Sequence, residues 1–139
     1  MRKANRSIDT SRSSGARGHH ELDTAHLRER LIALIRDLVL IPGSEERPDD
    51  LRRAVEWVRN HLESLESVEV RSYESNGVHS LVALPEHCTT PDVLMFGHVD
   101  VVHHADREYY RSELRDRKIC GPGTGDRKGI VTLMLELFR

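Results

Sequence analysis

Cysteine is almost missing from this sequence, and aromatic side chains and long apolar runs are scarce as well. The only two cysteines, Cys88 and Cys120, have neither the number nor the spacing of a disulfide framework or a zinc knuckle. A reducing, cytoplasmic setting is therefore the expected one. No apolar run approaches the roughly 20 residues that a membrane-spanning helix needs. Neither sign of charge dominates: the formal net charge is −2, with 32% of residues charged and 4% aromatic. There is no global case for nucleic acid or an anionic membrane, and neither is expected as a partner. Internal repeats are absent. What remains is a well-charged chain of 139 residues, one domain's length and enough for a real core.

Histidine, by contrast, is plentiful, with nine residues. His19 and His20 close a segment of different character. Residues 1–20, "MRKANRSIDTSRSSGARGHH", carry five basic residues against one acid, a net +4 with histidines uncounted. With little beyond Met1 and Ile8 to bury, this segment cannot offset the entropy of ordering and is expected to be a disordered basic tail. Its Arg and Ser content is that of a transit peptide, but it lacks an amphipathic apolar stripe and contains Asp9. Nor does it hold the apolar region of a secretory signal.

From Asp23 the pattern turns helical. Leu27, Leu31, Ile35 and Leu38 recur at three- and four-residue spacing, and Pro42-Gly43 ends the run. A second helix starts at Pro48-Asp49-Asp50, whose acids suit the positive helix end. Leu51, Ala54, Val55, Val58, Leu62 and Leu65 form its apolar face, with Trp57 at the edge. After Ser67 the period becomes two: Val68 and Val70 alternate with Glu69 and Arg71, as in a half-exposed strand. The turn signal Ser75-Asn76-Gly77 separates it from a second strand, "HSLVALP". The run "DVLMFGHVDVV" reads as a third strand, apolar on both faces and hence central in a sheet covered by helices. Residues 103–117 are polar and irregular, and Lys118-Ile119-Cys120 reads as a short strand. From Asp126 a final helix begins that is apolar nearly all round and calls for burial on more than one side. This order predicts the α/β class, a layered sheet with helices on both faces.

Two stretches could carry chemistry. His98 and Asp100 stand two apart on the third strand, so their side chains point to one side. An aspartate so placed can accept a hydrogen bond from one ring nitrogen, fixing the tautomer and leaving the other nitrogen as a metal ligand or base. Gly97 would let another backbone or a ligand approach closely. Functional sites of α/β sheets gather at the carboxyl ends of strands, where this pair falls. On spacing alone, a structural His–Asp hydrogen bond is the commoner explanation. The second stretch, "GPGTGDRKG", fits neither a Walker loop, which needs Gly-Lys-Ser/Thr, nor the dinucleotide pattern, whose third glycine is replaced by Asp126. It is a glycine-rich turn that delivers Asp126 to the first turn of a helix, where Asp126 could serve simply as an N-cap.

Taken together, G-H-x-D-V-V ending a strand and G-x-G-T-G-D-x-K-G opening an apolar helix form a more specific combination. It resembles the zinc-dependent metallopeptidase family of aminoacylase, acetylornithine deacetylase, succinyl-diaminopimelate desuccinylase and carboxypeptidase G. The resemblance covers roughly residues 24–139, including "DLVLIPG" and "SLVALP". It implies that residues 21–139 are the amino-terminal part of a metallohydrolase catalytic domain. It further implies that His98 is a metal ligand, that Asp100 holds that imidazole in catalytic position, and that Asp126 bridges two metal ions. Zinc suits such imidazole and carboxylate ligands, as do cobalt and manganese. The implied chemistry is hydrolysis of an amide or peptide bond by a metal-activated water, on a small amino-acid amide or peptide substrate. Lys128 and Gly129 match the usual residues of the family. The chain departs from it at Pro122, where arginine is usual, at Arg127, where Met or Asn is common, and at His103, where proline often stands.

A dinuclear site needs more than His98 and Asp126. The resemblance implies a Glu-Glu pair after the last helix, one member being the general base, and later acidic and histidine ligands. It also implies an inserted lid or dimerisation domain, with a homodimer as the parent assembly. "SEE", residues 44–46, stands where the family keeps no ligands. Two expectations follow: an amino-terminal fragment of a dinuclear amidohydrolase, inactive by itself, or a non-catalytic remnant that binds metal or a partner.

Overall fold

The computed structural model describes residues 24–139; the basic segment 1–20 lies outside the described residues. Among the described residues, three helices and two small antiparallel sheets make up a mixed α/β fold. In order they are α1 (Thr24–Val39), α2 (Pro48–Glu63), β1 (Val68–Ser75), β2 (Val78–Pro85), β3 (Glu113–Arg115), β4 (Lys118–Cys120) and α3 (Lys128–Phe138), with a 3-10 turn at Arg107–Tyr109 before β3.

Each helix follows its apolar periodicity. Leu38 and Val39 at the end of α1 are fully buried, and α2 starts on Pro48 at its first turn, where the missing N–H costs nothing. Asp50 does more than favour the helix N-terminus. Its nearly buried carboxylate takes Arg53 at 2.9 Å and, from far along the chain, Arg107 at 2.8 Å. Leu38, Ala54, Leu62, Val131 and Leu135 form one core joining all three helices. Val70 and Ala83 of the β1–β2 hairpin pack against it, as do Val99 and, at its edge, Trp57. The hairpin turns at Asn76 and Gly77, both at positive φ, a pairing that matches the natural strand twist.

α1 and α3 run antiparallel and are fastened at both ends. Arg30 donates from Nε and Nη2 to Glu136 Oε2, at 3.1 and 2.7 Å. At the other end the Lys128 ammonium, fully buried, donates to Leu38 O at 3.0 Å and also to Ile41 O. Leu38 O lies at the C-terminal end of α1, where a cation is favoured, and Ile41 O just beyond it; each also accepts a backbone N–H, from Ile41 and Gly43.

Two expectations are corrected. Residues 92–102, read as a third strand, form no ladder among the described residues, whose strands make the two antiparallel pairs. Among the described residues, the sole backbone–backbone hydrogen bond of residues 93–102 is from Val101 N–H to Gly43 O, 2.9 Å. The apolar side chains are nevertheless there, with Leu94 89% and Phe96 86% exposed. Periodicity reads which faces are apolar; it does not supply the neighbouring strand. For the same reason α3 buries Val131 and Leu135 but leaves Ile130, Leu133 and Leu137 exposed. The irregular segment 103–117 is the second correction, since it contains β3, which pairs with β4 through Leu114 opposite Ile119. Its turn, Asp116-Arg117, takes positive φ without glycine and so carries no sequence signal.

Burial lowers the Lys128 ammonium from 10.5 to about 8, while the charges of Asp100 and Asp50 pull the other way. Between those two values the unfolded chain holds more protons on this residue than the folded one, so its contribution to stability rises with pH across that window. The stability of the wild type minus that of Lys128→Met, from urea midpoints, should therefore climb by up to about 3 kcal/mol on going from below pH 8 to 10.5. A difference flat in pH would contradict this.

Candidate functional site

His98 lies on the extended segment before Val99, which packs on the core, and Val101, which is buried. Those apolar anchors and the Val101–Gly43 hydrogen bond fix the backbone around it. His98 Nδ1 lies 2.7 Å from Asp100 Oδ1, as expected for side chains on one face. Burial pushes the Asp100 carboxyl up, but the hydrogen bond and charge of His98, then the charge of Arg127, outweigh it and hold it below its ordinary value. An ionised carboxylate only accepts, so Nδ1 carries a proton, and in the neutral ring Nε2 keeps the lone pair. Both side chains are partly exposed. The arrangement thus leaves an accessible, tautomer-fixed imidazole, suited to bind a metal or to take up a proton.

The glycine turn stands beside this pair. Thr124 N–H and Oγ1–H both donate to Gly121 O, at 3.3 and 2.9 Å, closing a turn over Pro122 and Gly123. Gly123 has φ +74, so proline followed by positive-φ glycine gives the residue order of a type II turn. Pro122 therefore fits this turn rather than disturbing it. A Cβ on Gly123 would meet Val101 Cγ1 at 2.8 Å, so the turn rests directly on the segment bearing Asp100. At Gly97 the close approach is made by Val131 and Met134 of α3, at 3.1 and 3.2 Å from a notional Cβ, not by a ligand.

Asp126 does not cap α3; Arg127 holds that position. The Asp126 carboxylate is 74% exposed, and its ion pair is with Arg127 Nε at 3.7 Å. Arg127 Nη1 donates to Asp100 Oδ2 at 3.0 Å and to Asp100 O at 3.2 Å. Arg127 thus links the two motifs, a role its position gave no reason to expect. His98 and Asp100 are brought together directly, and Asp126 is joined to them through this guanidinium.

Sequence reasoning also missed a neighbouring cluster. His103 Nδ1 lies 3.2 Å from Ser44 Oγ and 3.6 Å from Glu46 Oε2, across the loop before α2. Hydrogen bonds from its own backbone and from Ser44, with the His103 charge adding to them, keep the Glu46 carboxyl below its ordinary value despite slight desolvation. Both oxygens face the same ring nitrogen, so the group is not a nucleophile–base–acid relay, which needs both nitrogens. Arg47 donates to His104 O at 3.0 Å and Ala105 O at 2.9 Å, and the hydroxyl of buried Tyr110 accepts from His104 N–H at 2.7 Å. These bonds pin the polar segment that follows the His–Asp pair.

The donor set fits part of a metal site. His98 Nε2 and the exposed Asp126 carboxylate are ligand types that zinc takes, and the Asp100 hydrogen bond is the usual outer support of a metal-binding imidazole. Among the described residues, no group of three or more His, Cys, Asp or Glu side chains is placed to hold a metal ion. Nor is any helix of the described residues long and apolar enough to cross a membrane. Cys88 and Cys120 are free thiols. No protein-family model matches the chain, and no curated protein matches it.

The turn generates a contrast between two glycines. Gly123→Ala combines a positive φ with the Val101 contact, whereas a Cβ at Gly125 meets nothing within 4 Å. Urea denaturation should show Gly123→Ala destabilised by about 2–4 kcal/mol and Gly125→Ala nearly unchanged. Equal effects would contradict the packing of this turn on Val101.

Proposed function

We propose that this chain carries part of the active site of a metal-dependent amidohydrolase of the aminoacylase and acetylornithine deacetylase type. The observation that carries the reading is the His98–Asp100 hydrogen bond of 2.7 Å beside an exposed Asp126 carboxylate. His98 and Asp126 would hold the metal, and zinc bound there would act as a Lewis acid toward an amide carbonyl and lower the pKa of a water. Asp100 keeps the His98 proton on Nδ1 and makes Nε2 a better donor. The buried Val101 and its bond to Gly43 hold both residues in register, and the glycine turn carries Asp126 to the same region.

On this reading the remaining ligands and the general base would not be among the described residues, and the active assembly would be a homodimer. In a complete domain of that type, residues 92–102 would be a central strand of a layered sheet with helices on both faces. The exposed Leu94 and Phe96 agree with that. Zinc, cobalt and manganese all suit the donors, and the substrate would be a small amino-acid amide or peptide. A second reading, a non-catalytic chain that binds metal or a partner, is favoured by the want of a third donor among the described residues.

Zinc titration of the chain should show His98-dependent binding. His98→Ala should abolish it, Asp100→Asn should weaken it by about 10–100-fold, and His104→Ala should leave it unchanged. The chain alone should not hydrolyse N-acyl amino acids above background. Zinc binding indifferent to His98→Ala would refute the metal reading, and zinc-dependent hydrolysis would show that no further ligands are needed.

A further inference from the structure

Among the described residues, Arg127 is the one side chain paired with both acids of the candidate site. Its Nη1 lies 3.0 Å from Asp100 Oδ2 and its Nε 3.7 Å from Asp126 Oδ2. With 28% of its side chain exposed, it is the better shielded partner of either pair, against 42% for Asp100 and 74% for Asp126. The backbone carbonyl of Asp100 takes a further bond from Nη1 at 3.2 Å, which orients the guanidinium. Asp126 has this cation as its ion-pair partner. Asp100 divides its two oxygens, Oδ1 to His98 and Oδ2 to Arg127.

We propose that Arg127 is a built-in counter-cation that competes with a metal ion for the acids of this site and so limits its metal affinity. The inference rests on the metal-site reading above and assigns a role to a residue outside the ligand set. A divalent ion binding Asp126 must share that carboxylate with the guanidinium and tolerate a fixed positive charge nearby. Partial burial weakens the screening that water would otherwise give between the two charges. Arg127 also fixes the carboxylate that orients His98, so removing it has two opposing effects: less repulsion of the metal, and a less rigid Asp100. The bond from His98 Nδ1 still holds Asp100 from its other side, and the loss of repulsion prevails.

The test is zinc affinity of the full chain at neutral pH, read by competition with a chromophoric chelator, with circular dichroism confirming each variant's fold. Arg127→Met and Arg127→Gln remove the charge, Gln keeping hydrogen-bonding capacity; both should bind zinc about tenfold more tightly than wild type. Arg127→Lys keeps the charge and should stay within about threefold of wild type. Adding His98→Ala to Arg127→Met should abolish the gain. If Met and Gln variants bind zinc no better than a wild type whose binding needs His98, Arg127 only positions Asp100; the competition idea is then wrong while the metal reading stands. If no variant binds zinc through His98, both are wrong.

Discussion

The buried ammonium of Lys128 is the point on which the arrangement of this chain depends. Its donations to Leu38 O and Ile41 O tie the end of α1 and the residues just after it to the first turn of α3. The glycine turn ends immediately before Lys128, so anchoring this side chain also sets where the turn lies. Gly129 N–H donates to Gly123 O at 2.9 Å, and a Cβ on Gly129 would overlap Thr124 O. A lysine normally keeps its charge in water and buries only its stem. Here the charge itself is buried, with desolvation opposed by Asp100 and Asp50. One residue therefore couples helix docking, turn placement and the electrostatics of the candidate site.

Around it, positive and negative groups form a sparse alternation rather than isolated surface pairs. Asp50 holds Arg53 and Arg107, Asp100 holds His98 and Arg127, and Glu136 holds Arg30. Asp50 and Glu136 are nearly buried and bind partners from distant parts of the chain, which exposed i,i+4 pairs such as Arg59–Glu63 do not. Surface pairs of that kind contribute little, whereas removing one member of a buried pair leaves a costly uncompensated charge. Long-range order in a chain with so small a core thus leans on a few shielded carboxylates.

Local features were legible in the sequence. The apolar periods of residues 27–38 and 51–65 gave α1 and α2, Asn76-Gly77 gave the hairpin turn, and the two-residue spacing of His98 and Asp100 gave their hydrogen bond. What could not be read was whatever depends on a distant partner. Arg127 looked like an arbitrary substitution until the fold set it against Asp100, and Asp50 looked like a helix-dipole acid until Arg107 reached it. His103 became notable only when the loop of Ser44 and Glu46 folded over it. The stretch 93–102 failed for a related reason. Alternation and apolarity describe a strand's own faces, while a ladder is a property of two segments.

The extended stretch also has a consequence in time. Its amides, apart from Val101, lack a backbone acceptor among the described residues, although Val99 is packed on the core. Protection from solvent exchange comes from hydrogen bonding that must open before a proton can leave. The amides inside α1, α2 and α3 would hold their protons through many local openings, while those of residues 93–99 would exchange far sooner. The stretch bearing the candidate imidazole is thus held by its side chains rather than by its amides, within a frame that is slow to breathe.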